Sequence, residues 1–186
     1  MIMGFLLSIR NIINSVHNPE IYNINHHRIN NSPLTLEHIF PKCYMNKKTY
    51  HDMHNLFKCN KELNNYRSNY KFSDFDNLNI EMNFNDFKKI SETDNYVSTK
   101  HKIFIPEKER RGIISRTIMY MAFEYKYKYN KVINNDVLIE WCLKHPPTKE
   151  EIYHNNIVFM KQYKRNIFID LYNKKNYKSY ISKLFL

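Results

Sequence analysis

The chain has little with which to cross-link itself, span a membrane or mark domain boundaries. Three cysteines among 186 residues, Cys43, Cys59 and Cys142, are an odd number in a long chain. They exclude a disulfide framework as the organising device and favour a reducing, intracellular compartment. No apolar run is long enough to cross a bilayer, so no membrane partner is expected. The most apolar stretch, Met1 to Ile9, has no basic segment before it and no small-residue cleavage site after it. It reads poorly as a signal peptide and better as the start of a core helix over residues 1–16 that includes Ile9, Ile12 and Ile13. Glycine occurs only at positions 4 and 112, while Asn, Lys, Ile and Tyr abound. That is the bias of an AT-rich coding sequence, such as a large DNA virus carries, so the asparagine richness is not read as function. Internal repeats and low-complexity linkers are also lacking, and the length suits one domain, expected to be a monomer.

Acidic residues are scarce too: 18 Asp and Glu against 29 Lys and Arg, a formal charge of +11 and a pI near 9.4. A positive surface potential attracts polyanions at long range and says nothing of fold. Residues 161–186 concentrate it, with seven basic side chains against Asp170 alone.

Texture divides the chain. Residues 17–33 are polar and irregular, with Pro19 and Pro33. Leu34, Leu36, His38 and Phe40 alternate with Thr35, Glu37 and Ile39, a strand signal stopped by Pro41. Tyr50 to Phe57 is expected to return as a second strand, and Asn60 to cap a helix from Lys61 to about Tyr70. Residues 71–110 mix aromatic and polar residues as packed loop and strand. Ile114, Ile118, Met121, Ala122, Tyr125 and Tyr129 mark an amphipathic helix. Val137, Leu138 and Trp141 mark another, ended by Pro146 and Pro147. Thr148-Lys149-Glu150-Glu151 is a capping-box pattern opening a third helix to about Tyr163.

The chemistry gathers at Glu37-His38 before Pro41, followed by Asp52-Met53-His54-Asn55-Leu56 and then Asn64. Hydrolysing a phosphodiester needs an activated water and neutralisation of the phosphate and the leaving oxygen. His38 could take the proton from water, since an imidazole titrates near about 6.5; on that value activity should fall in mild acid. Glu37 and the Asn64 carbonyl are a hard-oxygen pair suited to a cation such as Mg²⁺. Adjacent strand residues point to opposite faces, so Glu37 and His38 share one site only where the strand ends or bulges. A rival metal reading joins Cys43, His51, His54 and Cys59 as zinc ligands.

In order along the chain, these segments resemble the endonuclease I family of metal-dependent nucleases, which share the ββα-metal (His-Me finger) active site. Glu37-His38-Ile39-Phe40-Pro41 resembles the family's Glu-His-x-x-Pro segment. Asp52-Met53-His54-Asn55-Leu56 is similar to its Asp-Leu/Met-His-Asn-Leu, and Glu62-Leu63-Asn64 with Arg67-Ser68-Asn69-Tyr70 resembles the helix carrying an amide metal ligand. Arg111-Gly112 to Arg116 resembles a basic-Gly-x-x-Ala-Arg helix start. Glu151, Asn155, Val158, Gln162, Arg165-Asn166 and Phe168-Ile169-Asp170 resemble the terminal signature.

The resemblance implies an α+β fold: a single domain in which a β-hairpin and helix form the ββα core and further helices brace it. Residues 1–33 would be an N-terminal helix and irregular segment, 34–170 the nuclease domain and 171–186 a basic extension. It implies His38 as general base, with Glu37 and Asn64 binding Mg²⁺ or another divalent ion such as Mn²⁺ or Ca²⁺. Cleavage of DNA, and of RNA as well, with little sequence preference and 5′-phosphate products, is implied too. Lys47, Lys48, Arg67, Arg116, Gln162, Arg165 and Asn166 are the candidates for substrate contact. Tyr163 and Ile167 replace the family's Gly and Pro, and Asn65-Tyr66 replaces its Gly-Asp. Between Pro41 and Asp52 the chain lacks an arginine that family members use on the scissile phosphate, and lysine cannot copy its bidentate grip. The alternative from a different class is a basic nucleic-acid-binding protein with a decayed nuclease core.

Overall fold

The structure, a computed structural model, describes residues 20–23 and 33–185; the helix expected over residues 1–16 lies outside the described residues. The first unit is β1 (Leu34–His38) paired antiparallel with β2 (Leu56–Asn60), Leu34 opposite Asn60 and His38 opposite Leu56. Helix α1 (Lys61–Arg67) follows directly, and the Asn60 side chain caps it by accepting the Glu62 N–H. Strand, strand, helix is the order read from the sequence, but β2 begins six residues later than Tyr50. Asp52 accepts the His54 N–H at 2.9 Å and opens a 3₁₀ turn over Met53–Asn55, which takes those residues out of any strand. The helix stops short of Tyr70 because Ser68, at φ 51°, turns the chain.

Residues 71–110 build a small second sheet from β3 (Lys71–Phe72), β4 (Lys88–Lys89), β5 (Tyr96–Ser98) and β6 (Ile103–Ile105) in the order β3-β6-β5-β4. Its strands are too short for alternation to show in the sequence. Rings hold the segment instead, with Phe75 4.6 Å from Phe84 and 4.9 Å from Tyr96.

Helix α2 (Arg111–Tyr125) runs through the middle, buried without a break from Gly112 to Ala122. Lys126, in the left-handed region, ends it, so Tyr129 falls beyond the helix. Helix α3 (Asn135–Lys144) lies so close that a Cβ on Gly112 would sit 2.6 Å from the His145 carbonyl oxygen. Helix α4 (Lys149–Gln162) starts as the capping pattern predicts, Thr148 accepting the Glu151 N–H. A short α5 (Ile167–Asp170) and α6 (Tyr177–Phe185) complete the bracing. Ile114, Ile118, Trp141, Phe168 and Ile181 share one core. Helix α6 docks on it through Tyr177, Ile181 and Phe185, so the basic extension is folded with its lysines outward. No helix among the described residues is long and apolar enough to cross a membrane.

Candidate active site

Glu37, His38 and Asn64 line one cavity of about 340 Å³ between the β-hairpin and α1. The strand ends there and does not bulge. After His38 the chain bends, and Asn55 holds the bend from both sides: its amide donates to the Phe40 carbonyl at 3.0 Å, and its Oδ1 accepts the Phe40 N–H at 2.7 Å. Its own carbonyl accepts the Ile39 N–H at 3.2 Å. Ending β1 at His38 lets two adjacent side chains open on one cavity.

Glu37 is buried. Its Oε1 accepts the Tyr22 hydroxyl at 2.9 Å and stands 3.3 Å from Arg67 Nε, an ion pair rather than an aligned hydrogen bond. Burial raises the carboxyl to about 7, against the opposing pull of Arg67 and the Tyr22 hydrogen bond. A buried carboxylate held this way gains from a second positive charge in the cavity.

His38 Nε2 lies 2.9 Å from the Tyr50 carbonyl oxygen. A carbonyl only accepts, so Nε2 carries the hydrogen and Nδ1 keeps the lone pair. Burial lowers the imidazole to about 4, with the Tyr50 bond opposing, so the ring is neutral across the physiological range. Asn64, one turn into α1, donates its amide to Thr35 Oγ1 at 3.1 Å and to the Leu36 carbonyl at 3.4 Å. Its amide carbonyl is the end available to a cation. One carboxylate oxygen and one amide oxygen are hard donors, and they fit Mg²⁺, Mn²⁺ or Ca²⁺.

The Asp52-Met53-His54-Asn55 segment supports the site from behind. Asp52 Oδ2 accepts hydroxyls from Tyr120, at 2.9 Å, and from Tyr125. Gln162 reaches across from α4, accepting the Met53 N–H and donating to the His51 carbonyl, both at 3.0 Å. Asn166 is internal too: Oδ1 caps α5, and the amide donates to the Arg116 carbonyl.

The arginines read as substrate contacts are placed as follows. Arg67 is fully buried, its guanidinium held by Glu37 and by the Ile39 and Ser68 carbonyls, and it lies over the Phe72 ring. Arg116 is buried in a bidentate pair with Glu151 at 2.7 and 2.6 Å. Arg165 is half-buried on Asp170 and Asn156. None of these residues, nor Gln162 or Asn166, lines the cavity. Lys47 and Lys48 sit exposed on a 3₁₀ turn, Lys47–Thr49. The rival zinc set does not converge: Cys43 is exposed, Cys59 is buried on β2, and His54 Nε2 bonds the Lys164 carbonyl. Among the described residues no three His, Cys, Asp or Glu side chains form a metal-holding group.

Three features escaped the sequence. Tyr22 holds the carboxylate from a segment fifteen residues away and carries no local signal. The Tyr50 carbonyl is backbone. Lys42, directly after Pro41, lines the cavity with its side chain exposed; a cation next to a Glu-His pair was the available hint.

Hairpin, helix and cavity define a mixed α+β protein of the ββα-core class. The chain belongs to the Endonuclease I family, whose model matches residues 17–172. It is similar to a protein named Endonuclease-1 from Buchnera aphidicola subsp. Baizongia pistaciae (strain Bp), 26% identical over 133 residues. The match covers 72% of this chain and 51% of that relative, so the chain spans about half the length of the curated relative it matches.

Proposed function

We propose that this protein is a divalent-metal-dependent nuclease that hydrolyses phosphodiester bonds of DNA, and of RNA, to leave 5′-phosphate ends. The observation that carries this reading is the convergence of Glu37, His38 and Asn64 on one cavity with the imidazole tautomer fixed by the Tyr50 carbonyl. The Glu37 carboxylate and the Asn64 carbonyl would hold a cation of the Mg²⁺ type, which when bound supplies positive charge against the phosphate and the departing oxygen.

The chain's own residues do the rest. His38 Nδ1 takes a proton from water as the water oxygen bonds to phosphorus, and the bond from phosphorus to the 3′ oxygen breaks. The Tyr50 carbonyl keeps the ring oriented and stabilises the imidazolium that forms. Tyr22 and Arg67 fix the Glu37 carboxylate. Lys42 is the cation facing the phosphate, with Lys47 and Lys48 as further point charges on the same loop. Arg67, Arg116, Gln162 and Asn166 hold the site and the helices around it, and they leave phosphate contact to these lysines.

Plasmid degradation with Mg²⁺ and with excess EDTA tests the reading. Cleavage in Mg²⁺, abolished by EDTA and by Glu37→Ala, is expected. Full activity in EDTA would sink the metal role. Lys42→Ala is expected to raise KM and lower kcat, and an unchanged kcat/KM would remove Lys42 from the phosphate.

A further inference from the structure

Between Tyr125 and Asn135 the chain reads Tyr-Lys-Tyr-Lys-Tyr-Asn-Lys-Val-Ile-Asn-Asn, with no acidic residue. This is the connection from α2 to α3, and exposure alternates along it. Tyr125, Tyr127 and Tyr129 are half-buried, while Lys126, Lys128, Asn130 and Lys131 are exposed.

Each tyrosine is pinned by its hydroxyl. Tyr125 bonds Asp52, and Tyr129 donates to Asn135 Oδ1 at 2.7 Å. Tyr127 accepts the Asn46 N–H at 2.9 Å and stands 2.8 Å from Thr49 Oγ1. Two of these three anchors lie on the 46–52 segment, the one that supplies the Tyr50 carbonyl to His38.

The lysines are not spent on carboxylates, although Lys126 Nζ lies 4.8 Å from the centre of the Phe123 ring. Lys89, Lys100, Lys144 and Lys164 form ion pairs with carboxylates. Lys126, Lys128 and Lys131 take part in no ion pair with a described residue. Lys131 Nζ lies 5.9 Å from the centre of the Tyr44 ring, on the short turn that begins with Lys42 at the cavity. At the other end, Lys128 and Lys71 line a second cavity of about 450 Å³ with Asn130, Asn134 and Asn135. Unpaired cations in a row, held on rigid aromatic anchors and continuous with the catalytic turn, are what a polyanionic backbone recognises.

We propose that the Lys126–Lys131 connection is a phosphate rail that seats the nucleic-acid backbone beyond the scissile phosphate, through Lys126, Lys128 and Lys131. The rail rests on the nuclease reading for the identity of the polyanion. It binds without reading bases, so it contributes affinity and salt dependence and no sequence preference.

The test uses the full chain carrying His38→Ala, in EDTA, binding a fluorescent duplex of about 20 base pairs as NaCl rises from about 50 to 200 mM. Adding Lys126→Gln, Lys128→Gln and Lys131→Gln together should make the slope of log affinity against log salt shallower by about 2 to 3. The matching Arg triple should keep the slope. A control triple, Lys89→Gln, Lys100→Gln and Lys144→Gln, removes the same charge from paired sites and should change it by less than about 1. Equal loss in both glutamine triples would reduce the effect to net charge and overturn the rail, as would an unchanged slope. Should the rail triple melt below assay temperature, the single variants decide, each shallower by about 1 or the rail fails. If the starting protein binds no duplex at all, the nuclease reading falls with it, whereas steep binding that survives the rail triple removes the rail alone.

Discussion

Arg67 Nε stands 3.3 Å from Glu37 Oε1, and both side chains are withdrawn from solvent. The arginine therefore braces the carboxylate from the protein interior. Removing it lets Glu37 take up a proton and leaves the Ile39 and Ser68 carbonyls without their donor, so Arg67→Met is expected to destabilise the protein by about 1 to 3 kcal/mol in urea titrations. It should also weaken Mg²⁺ binding, because burial then holds Glu37 protonated to still higher pH. Arg67→Lys keeps the charge and loses the carbonyl contacts to Ile39 and Ser68, so it should rescue only part of either effect. An Arg67→Met protein of unaltered stability would return the arginine to the list of phosphate ligands.

The Arg116–Glu151 pair works the same way between α2 and α4. Glu151→Ala strands the buried Arg116 guanidinium and is expected to cost about 3 to 5 kcal/mol. The salt dependence of duplex binding should not change, since neither group reaches the cavity. A shallower salt slope in that variant would place Arg116 at the substrate after all.

Tyr163 sits at φ 55°, 83% exposed, just after α4. A side chain there carries left-handed strain that glycine does not, and its contact with Phe159 is an exposed ring edge. Tyr163→Gly should raise stability by about 1 kcal/mol in chemical denaturation; a loss would mean the ring contact outweighs the strain.

His154 is buried with Nε2 at 3.0 Å from the Met53 carbonyl, and burial lowers it to about 4. Its folded value lies below the unfolded value of about 6.5, so the unfolded chain takes up the proton first. The stability this neutral ring contributes is present in full above about 6.5 and is lost as pH falls toward 4, by about 1 kcal/mol per pH unit. His154→Gln should flatten the stability curve between those limits by about one proton; an unchanged slope would assign the acid sensitivity to other groups.

The sequence showed the site where the signals were local. Glu37-His38 before Pro41 shows the strand end, Asn60 and Thr148 mark the helix starts, and Asn64 falls one turn into α1. It misplaced β2 because the alternation from Tyr50 competes with an Asp52 side chain that caps a 3₁₀ turn. It gave no topology for residues 71–110, whose strands run two or three residues. Arg67, Arg116 and Gln162 looked like substrate groups because a charged or amide side chain at a motif position reads the same whether it faces water or a buried partner. Their partners, Glu37, Glu151 and the Met53 backbone, are 30, 35 and 109 residues away. The expected loss of activity in mild acid passes from His38 to Glu37, since burial moves the imidazole well below its free value and raises the metal-binding carboxyl to about 7.

The most direct measurement is single-turnover cleavage of plasmid DNA by His38→Ala at saturating Mg²⁺, with duplex binding measured on the same preparation. Loss of the base should slow cleavage by about 10² to 10⁴-fold while binding stays within about threefold. Cleavage at the unaltered rate would contradict the assignment of His38 Nδ1 as the group that takes the proton.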